Sequence, residues 1–331
     1  MRVDLFDSGL AGPVGQAEEA HASVWPDDAA FALFLSHDID QIYDREIFRL
    51  LGDMNHLRRI CLNGESTRIV PCAKRIARAI MRPRTPGNDV ETILSIERAF
   101  GFRSTFFLLE DRVFNHLGGR YRYSDPATKR IARTIENSGC EVALHGAYHN
   151  VNDPAAYRAQ IAAFREAFGY NPRGIRNHYL RHDGKETWSV QRDVGFEYDA
   201  SFGCNDKVGI REGRAHPFFP LDRGGEASFD FVALPMTIMD VALFGGLSIT
   251  GGNALALSKR VAEQVRSVGG LLCLNWHNTY FENDEYRSWR IVYEDLLGWL
   301  VEQRPWNATG VEIAEWWMRA SIVNRGSCKF R

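Results

Sequence analysis

The sequence predicts an α/β protein, a distorted (β/α) barrel of about seven parallel strands with a helical insertion after the first strand. Two observations carry that reading. From residue 90 onward, short uninterrupted apolar runs alternate with longer segments of helical periodicity, the order expected of parallel strands joined by covering helices. Two of the apolar runs also break off directly into Asp and His, and in such folds reactive groups gather where the strands end. At 331 residues, 45% hydrophobic and 25% charged, the chain can bury a large core. Residues 1–331 are therefore read as one domain.

The elements follow in order. Residues 1–30 read as an N-terminal arm ending at Pro26-Asp27-Asp28, and Phe31-Ala32-Leu33-Phe34-Leu35 is a strand covered on both faces. Residues 41–90 form a basic helical insertion, with helical segments at Glu46 to Leu51 and Cys72 to Ile80, broken by Pro83 and Pro86. Next come a helix at Val90 to Phe100, a strand at Ser104 to Leu109, a helix at Asp125 to Asn137 and a strand at Glu141 to Leu144. A helix at Asp153 to Phe168 leads to a strand near Gly174-Ile175-Arg176. The remaining strands are expected at Tyr198 to Phe202, Phe229 to Leu234 and Gly270 to Asn275, with helices at Asn253 to Val268, Tyr286 to Gln303 and Gly310 to Ile322.

A formal charge of −2 supplies no global field for nucleic acid, so no nucleic-acid partner is expected. Charge asymmetry is local: residues 58–84 hold eight basic side chains against Glu65 alone, a net +7. That stretch can grip a diphosphate or lie on anionic lipid as a peripheral membrane contact; its bland reading is a solvated helix face. The N-terminus has no basic segment followed by a long apolar core, and no run approaches a membrane span. The six cysteines are scattered without a CxxC spacing and read as reduced packing residues. The expected location is the cytoplasm, with association at the inner membrane surface through the insertion. Nothing in the pattern fixes an oligomeric state.

In Ser36-His37-Asp38-Ile39-Asp40, the alternation of an extended chain sends Asp38 and Asp40 to one face and His37 to the other. Two close carboxylates repel unless a cation or a shared proton neutralises them; the bland alternative is that Asp40 caps the next helix. His145 and His149 share the i, i+4 spacing of zinc-protease helices, but Gly146 stands where a peptidase needs Glu. A strand tip with both imidazoles turned to a common site fits better. Two Asp and two His converging on one divalent ion point to a hydrolase.

These segments, with Arg103-Ser104-Thr105-Phe106-Phe107 between them, Gly174-Ile175-Arg176 after them and Leu271 to His277 last, resemble the motif order of the polysaccharide deacetylase (NodB homology) superfamily, which includes carbohydrate esterase family four. The likeness spans roughly residues 31–280, and the first motif is a variant, HDID in place of adjacent aspartates. The resemblance implies Asp38 as base, Asp40, His145 and His149 as metal ligands, Arg176 as the partner that keeps Asp38 ionised, and His277 as acid. It implies a divalent ion, zinc by preference and iron, cobalt, nickel or manganese by tolerance. The implied activity is removal of an N-acetyl or similar N-acyl group from an amino sugar, a nucleotide- or lipid-linked intermediate of surface polysaccharide or lipopolysaccharide synthesis. An allantoinase-like cyclic-amide hydrolase and a non-catalytic carbohydrate-binding relative are the alternatives. His178 and His182, a second HxxxH, read as substrate contacts or surface, and Phe218, Phe219, Tyr280 and Phe281 as a sugar platform.

Overall fold

The structure is a computed structural model and describes residues 24–43, 87, 89–111, 121–282 and 286–328, with scattered positions between 54 and 77. The expected arm at residues 1–30, up to residue 23, and most of the expected insertion at 41–90 lie outside the described residues.

Nine parallel strands form one curled sheet, with helices around it. In chain order they are β1 (Ala32–Ile39), β2 (Ser104–Leu109), β3 (Glu141–Gly146), β4 (Gly174–Asn177), β5 (Tyr198–Asp199), β6 (Val232–Ala233), β7 (Ile238–Met239), β8 (Leu271–Asn275) and β9 (Trp306–Asn307). The sheet order is β6-β5-β4-β3-β2-β1-β8-β7, with β9 added beside the start of β1. Among the described residues no ladder joins β6 to β7, so the barrel is a half-barrel, open on one side. The expected count of about seven falls short because β7 and β9 are only two residues long, below the length at which an apolar run is visible.

β1 is an interior strand between β2 and β8 and is buried along all eight residues, which is why its sequence shows no alternation before the polar tip. The helices are α1 (Asp89–Ala99), α2 (Pro126–Asn137), α3 (Pro154–Phe168), α4 (Gly184–Asp193), α5 (Gly251–Ser267), α6 (Arg287–Gln303) and α7 (Gly310–Cys328). α2 and α3 begin alike, with Asp125 and Asp153 accepting from backbone N–H groups of the first turn and a proline at the first helical position. α4 is missing from the sequence reading.

The amino-terminal floor of the half-barrel is closed by side chains. Tyr198 stands between Gly174 and Gly310 and donates its hydroxyl to Glu141 at 3.0 Å. Glu141 also accepts from the Val311 backbone at the start of α7 and from Thr105. The opposite rim, where β1, β3, β4, β7 and β8 end, is left for polar chemistry.

Candidate active site

The tip of β1 supplies three groups to the interior of the rim, in the expected alternation. Ser36, Asp38 and Asp40 face inward, while His37 turns away, its Nδ1 2.7 Å from the Trp276 carbonyl and its Nε2 2.8 Å from Glu97 behind the sheet. Arg176 at the end of β4 is fully buried, with its guanidinium over the Phe107 ring, 4.3 Å from the centroid. It donates to Asp38 and Asn275 from Nη1, to Ser36 from Nη2 and to the Ala200 carbonyl from Nε, all at 2.9 to 3.0 Å. Asn275 donates in turn to the other oxygen of Asp38 at 2.8 Å.

Asp38 is therefore held by two fixed donors. Burial alone would raise its carboxyl, but the charges of Arg176, His145 and His277 outweigh that and hold it at about 2. His277 follows β8 and is clamped by Asp240, which accepts from its backbone N–H at 2.6 Å and from its Nδ1 at 2.8 Å. Its Nε2 lies 3.8 Å from Asp38. Burial would lower this imidazole, yet Asp240, assisted by Asp40 and Asp38, pushes it up to about 10. The sequence pointed to His277 as the acid but not to Asp240, the carboxylate that keeps it protonated.

Asp40, His145 and His178 bring one ligand atom each to within 4.8 Å of one another. The Oδ1 of Asp40 and Nε2 of His145 are buried and have no hydrogen-bond partner, and the Nε2 of His178 lies 3.7 Å from that Oδ1. Buried polar atoms left unmatched are costly, and a carboxylate with two imidazoles is the donor set a divalent cation completes. The Nδ1 of His145 donates to the Arg176 carbonyl at 2.7 Å, which leaves its Nε2 lone pair aimed into the site. Burial lowers the His178 imidazole against the pull of Asp40, favouring the neutral form a ligand requires. Among the described residues this is the one such cluster, and its donors fit the ion that the sequence implied.

His149, expected as a ligand, does not join it. The chain leaves β3 through Ala147 into a single 3₁₀ turn, Tyr148–Asn150, which carries His149 to the surface with its ring against Tyr148. His178, expected to be a substrate contact or surface residue, lies in the cluster instead. Its loop is held by Asn177, whose Nδ2 donates to the Arg181 carbonyl and whose Oδ1 accepts from Tyr157. Gly146 makes room for that clamp, since a Cβ there would collide with the Asn177 side chain. Tyr179 and Leu180 pass through the left-handed region (φ 58° and 51°) and turn the loop back over the rim. The sequence did hold a signal: His178 directly follows a strand tip, the same position that identified His145. Asp240 and Asn275 were missed altogether, although each follows or ends a short apolar run.

The expected sugar platform does not assemble. Phe218 packs with Trp188 and Phe202, Phe219 with Phe229, and Phe281 is buried. Tyr280 alone of the four lies beside His277, with ring centroids 5.9 Å apart, and it continues into Tyr286 and Trp289.

No protein-family model and no curated protein sequence matches the chain. Solved structures match its fold. A protein assigned as a polysaccharide deacetylase in Mycobacterium smegmatis superposes with TM-score 0.59 at 19% identity, over 92% of this chain and 96% of that one. Puue allantoinase superposes with TM-score 0.59 at 15% identity, over 92% and 95%. A protein assigned as a polysaccharide deacetylase in Pseudomonas aeruginosa PAO1 gives 0.55 at 16% identity, over 91% and 95%. The chain thus shares the half-barrel fold of these proteins.

Proposed function

We propose that the chain is a metal-dependent hydrolase of the polysaccharide deacetylase type that removes an N-acetyl or similar N-acyl group from an amino sugar. One observation carries the reading: Asp40, His145 and His178 converge with the facing atoms of Asp40 and His145 unmatched, and they adjoin a carboxylate and an imidazole whose proton affinities are driven far apart. A divalent ion held by these three residues, zinc by preference, supplies polarisation of the amide carbonyl and acidification of the attacking water.

The protein's own groups do the rest. Asp38, kept ionised by Arg176 and Asn275, accepts the water proton as the water oxygen bonds to the carbonyl carbon. His277, kept protonated by Asp240, donates its Nε2 proton to the amine nitrogen as the C–N bond breaks. The products are a carboxylic acid and an amino sugar. We place the substrate among cytoplasmic intermediates of surface polysaccharide or lipopolysaccharide assembly, linked to a nucleotide or a lipid.

The test pairs metal analysis of the purified protein with hydrolysis of an N-acetylhexosamine panel, allantoin and hydantoin. Release of acetate in proportion to bound metal is the expected result. Turnover of allantoin with the sugars untouched would favour the cyclic-amide alternative, which the equal likeness to Puue allantoinase keeps in view. Sugar binding without any turnover by metal-loaded protein would favour a non-catalytic relative.

A further inference from the structure

We propose that His37 is a positioning residue for His277, whose role as acid rests on the hydrolase reading above: from behind the sheet it holds the carbonyl of the Trp276–His277 peptide and so fixes the direction in which His277 enters the site. The ladder between β1 and β8 runs as far as Ser36 and Asn275, and the Trp276 N–H still donates to the Ser36 carbonyl at 3.0 Å. Beyond that point β8 has ended, and the chain turns into the 3₁₀ segment Asn278–Tyr280. The next peptide meets side chains on both of its polar groups. Its N–H, on His277, donates to Oδ2 of Asp240 at 2.6 Å, and its carbonyl, on Trp276, lies 2.7 Å from Nδ1 of His37. A peptide unit is planar, so holding both ends fixes its rotation, and with it the bond from which the His277 side chain departs.

The ring that holds the carbonyl is itself fixed. The Nε2 of His37 lies 2.8 Å from Oε1 of Glu97 on α1, which also accepts from the Tyr293 hydroxyl at 2.6 Å, and Oε2 accepts from Ser104 at 2.6 Å. Phe106 and Phe281 pack on the imidazole, with centroids 4.9 and 5.9 Å away, and His37, Glu97, Ser104, Trp276 and Tyr293 are all buried. A buried imidazole and carboxylate add little stability that apolar residues of like volume would not supply. What they offer beyond an apolar pair is a polar hydrogen for the Trp276 carbonyl. A carbonyl only accepts, so the contact requires a proton on Nδ1. His37 precedes Asp38 as Trp276 precedes His277, so one contact behind the sheet ties the strand that bears the base to the strand that leads to the acid. Displacement of a reacting group by about 1 Å can cost on the order of 10²-fold in rate.

The first measurement is the tautomer of His37 in the full wild-type chain, read from two-bond nitrogen–proton couplings of isotope-labelled histidines, with the ring identified by its contact to Phe106. A proton on Nδ1 is expected; a bare Nδ1 overturns the proposal and needs neither a variant nor turnover. The second is kinetics on metal-loaded protein. His37→Gln keeps an amide beside Glu97 but loses the Nδ1 contact, and kcat should fall by about 10–100-fold with metal content and KM unchanged. His37→Asn puts its Nδ2 where Nδ1 stands and should recover most of that loss, although it gives up Glu97. Ser104→Ala removes a donor from the far oxygen of Glu97 and should lower the melting temperature with kcat unchanged. An equal fall in kcat for His37→Gln and His37→Asn, or a kcat that follows melting temperature across all three variants, would show structural support alone and overturns the proposal. If His37→Gln does not fold, a kcat for His37→Asn that is about tenfold or more below wild type does the same. Metal-loaded wild type that hydrolyses nothing sinks the hydrolase reading, while the tautomer still decides whether His37 holds the peptide.

Discussion

The Nη1 of Arg176 lies 2.9 Å from Oδ1 of Asp38, and both side chains are buried although 138 residues separate them in the chain. Neither charge is tolerable there without the other. Arg176→Ala strands the Asp38 carboxylate and should cost about 3–5 kcal/mol, measured by denaturant unfolding. Asp38→Asn is nearly isosteric and keeps acceptors for Arg176 through Ser36, Asn275 and Ala200. It should fold and retain metal while kcat falls by roughly 10²–10⁴-fold, the loss of one proton acceptor. An Asp38→Asn protein with wild-type turnover would remove Asp38 from the base role.

His178 and His149 are separated by a single comparison. His178→Ala removes one of three converging ligand atoms and should lose the metal, as His145→Ala should; His149→Ala removes a surface imidazole and should keep it. Metal content by mass spectrometry and titration with cobalt, followed by its absorption, read this without any assay of turnover. Retention of metal by His178→Ala together with its loss from His149→Ala would restore the ligand set expected from the sequence.

The contrast between these two histidines marks the limit of what the sequence discloses. β1, β2, β3 and β8 were legible because fully buried parallel strands are uninterrupted apolar runs, and α2 and α3 because Asp and Pro announce their starts. Asp38, Asp40, His145, Arg176 and His277 sit at or just beyond strand tips, so a correct strand assignment carries them to the rim. His178 also follows a strand tip, but its turn into the site depends on two left-handed residues and on the Asn177 clamp, and neither has a local signature. Asp240 follows a strand of two residues, too short to read as one, and its pairing with His277 exists only after the sheet has curled.

The floor gives a prediction about stability alone. A Cβ on Gly174 would overlap the Tyr198 ring, and one on Gly310 would come within 2.5 Å of its hydroxyl. Tyr198 cannot swing aside, because it is fully buried and tied to Glu141. Gly174→Ala and Gly310→Ala should each lose about 1–3 kcal/mol or more through overpacking. Tyr198→Phe keeps the ring but removes one donor from a buried carboxylate and should lose about 1–3 kcal/mol. Thermal melting ranks them, and an unchanged melting temperature for Gly174→Ala would mean that the floor repacks freely.

The Asp240–His277 pair sets the alkaline behaviour. The imidazole sits at about 10 in the folded protein against an ordinary 6.5, so the pair's contribution to stability is fully present below 6.5 and is lost as pH rises through 10. Asp38 works in the opposite sense: held at about 2 against 3.8, its contribution is present above 3.8 and lost as pH falls through 2. Asp240→Asn removes the main influence that raises His277, and burial then acts on the imidazole with less opposition. Its proton should be lost near or below neutrality, so the alkaline limb of the kcat profile should move down by several pH units. The alkaline decline of the melting temperature should flatten in the same variant. Because His277 donates a proton only to the departing amine, the loss at neutral pH should fall on kcat and leave KM nearly unchanged. An alkaline limb that stays in place in Asp240→Asn would show that another group supplies the acid.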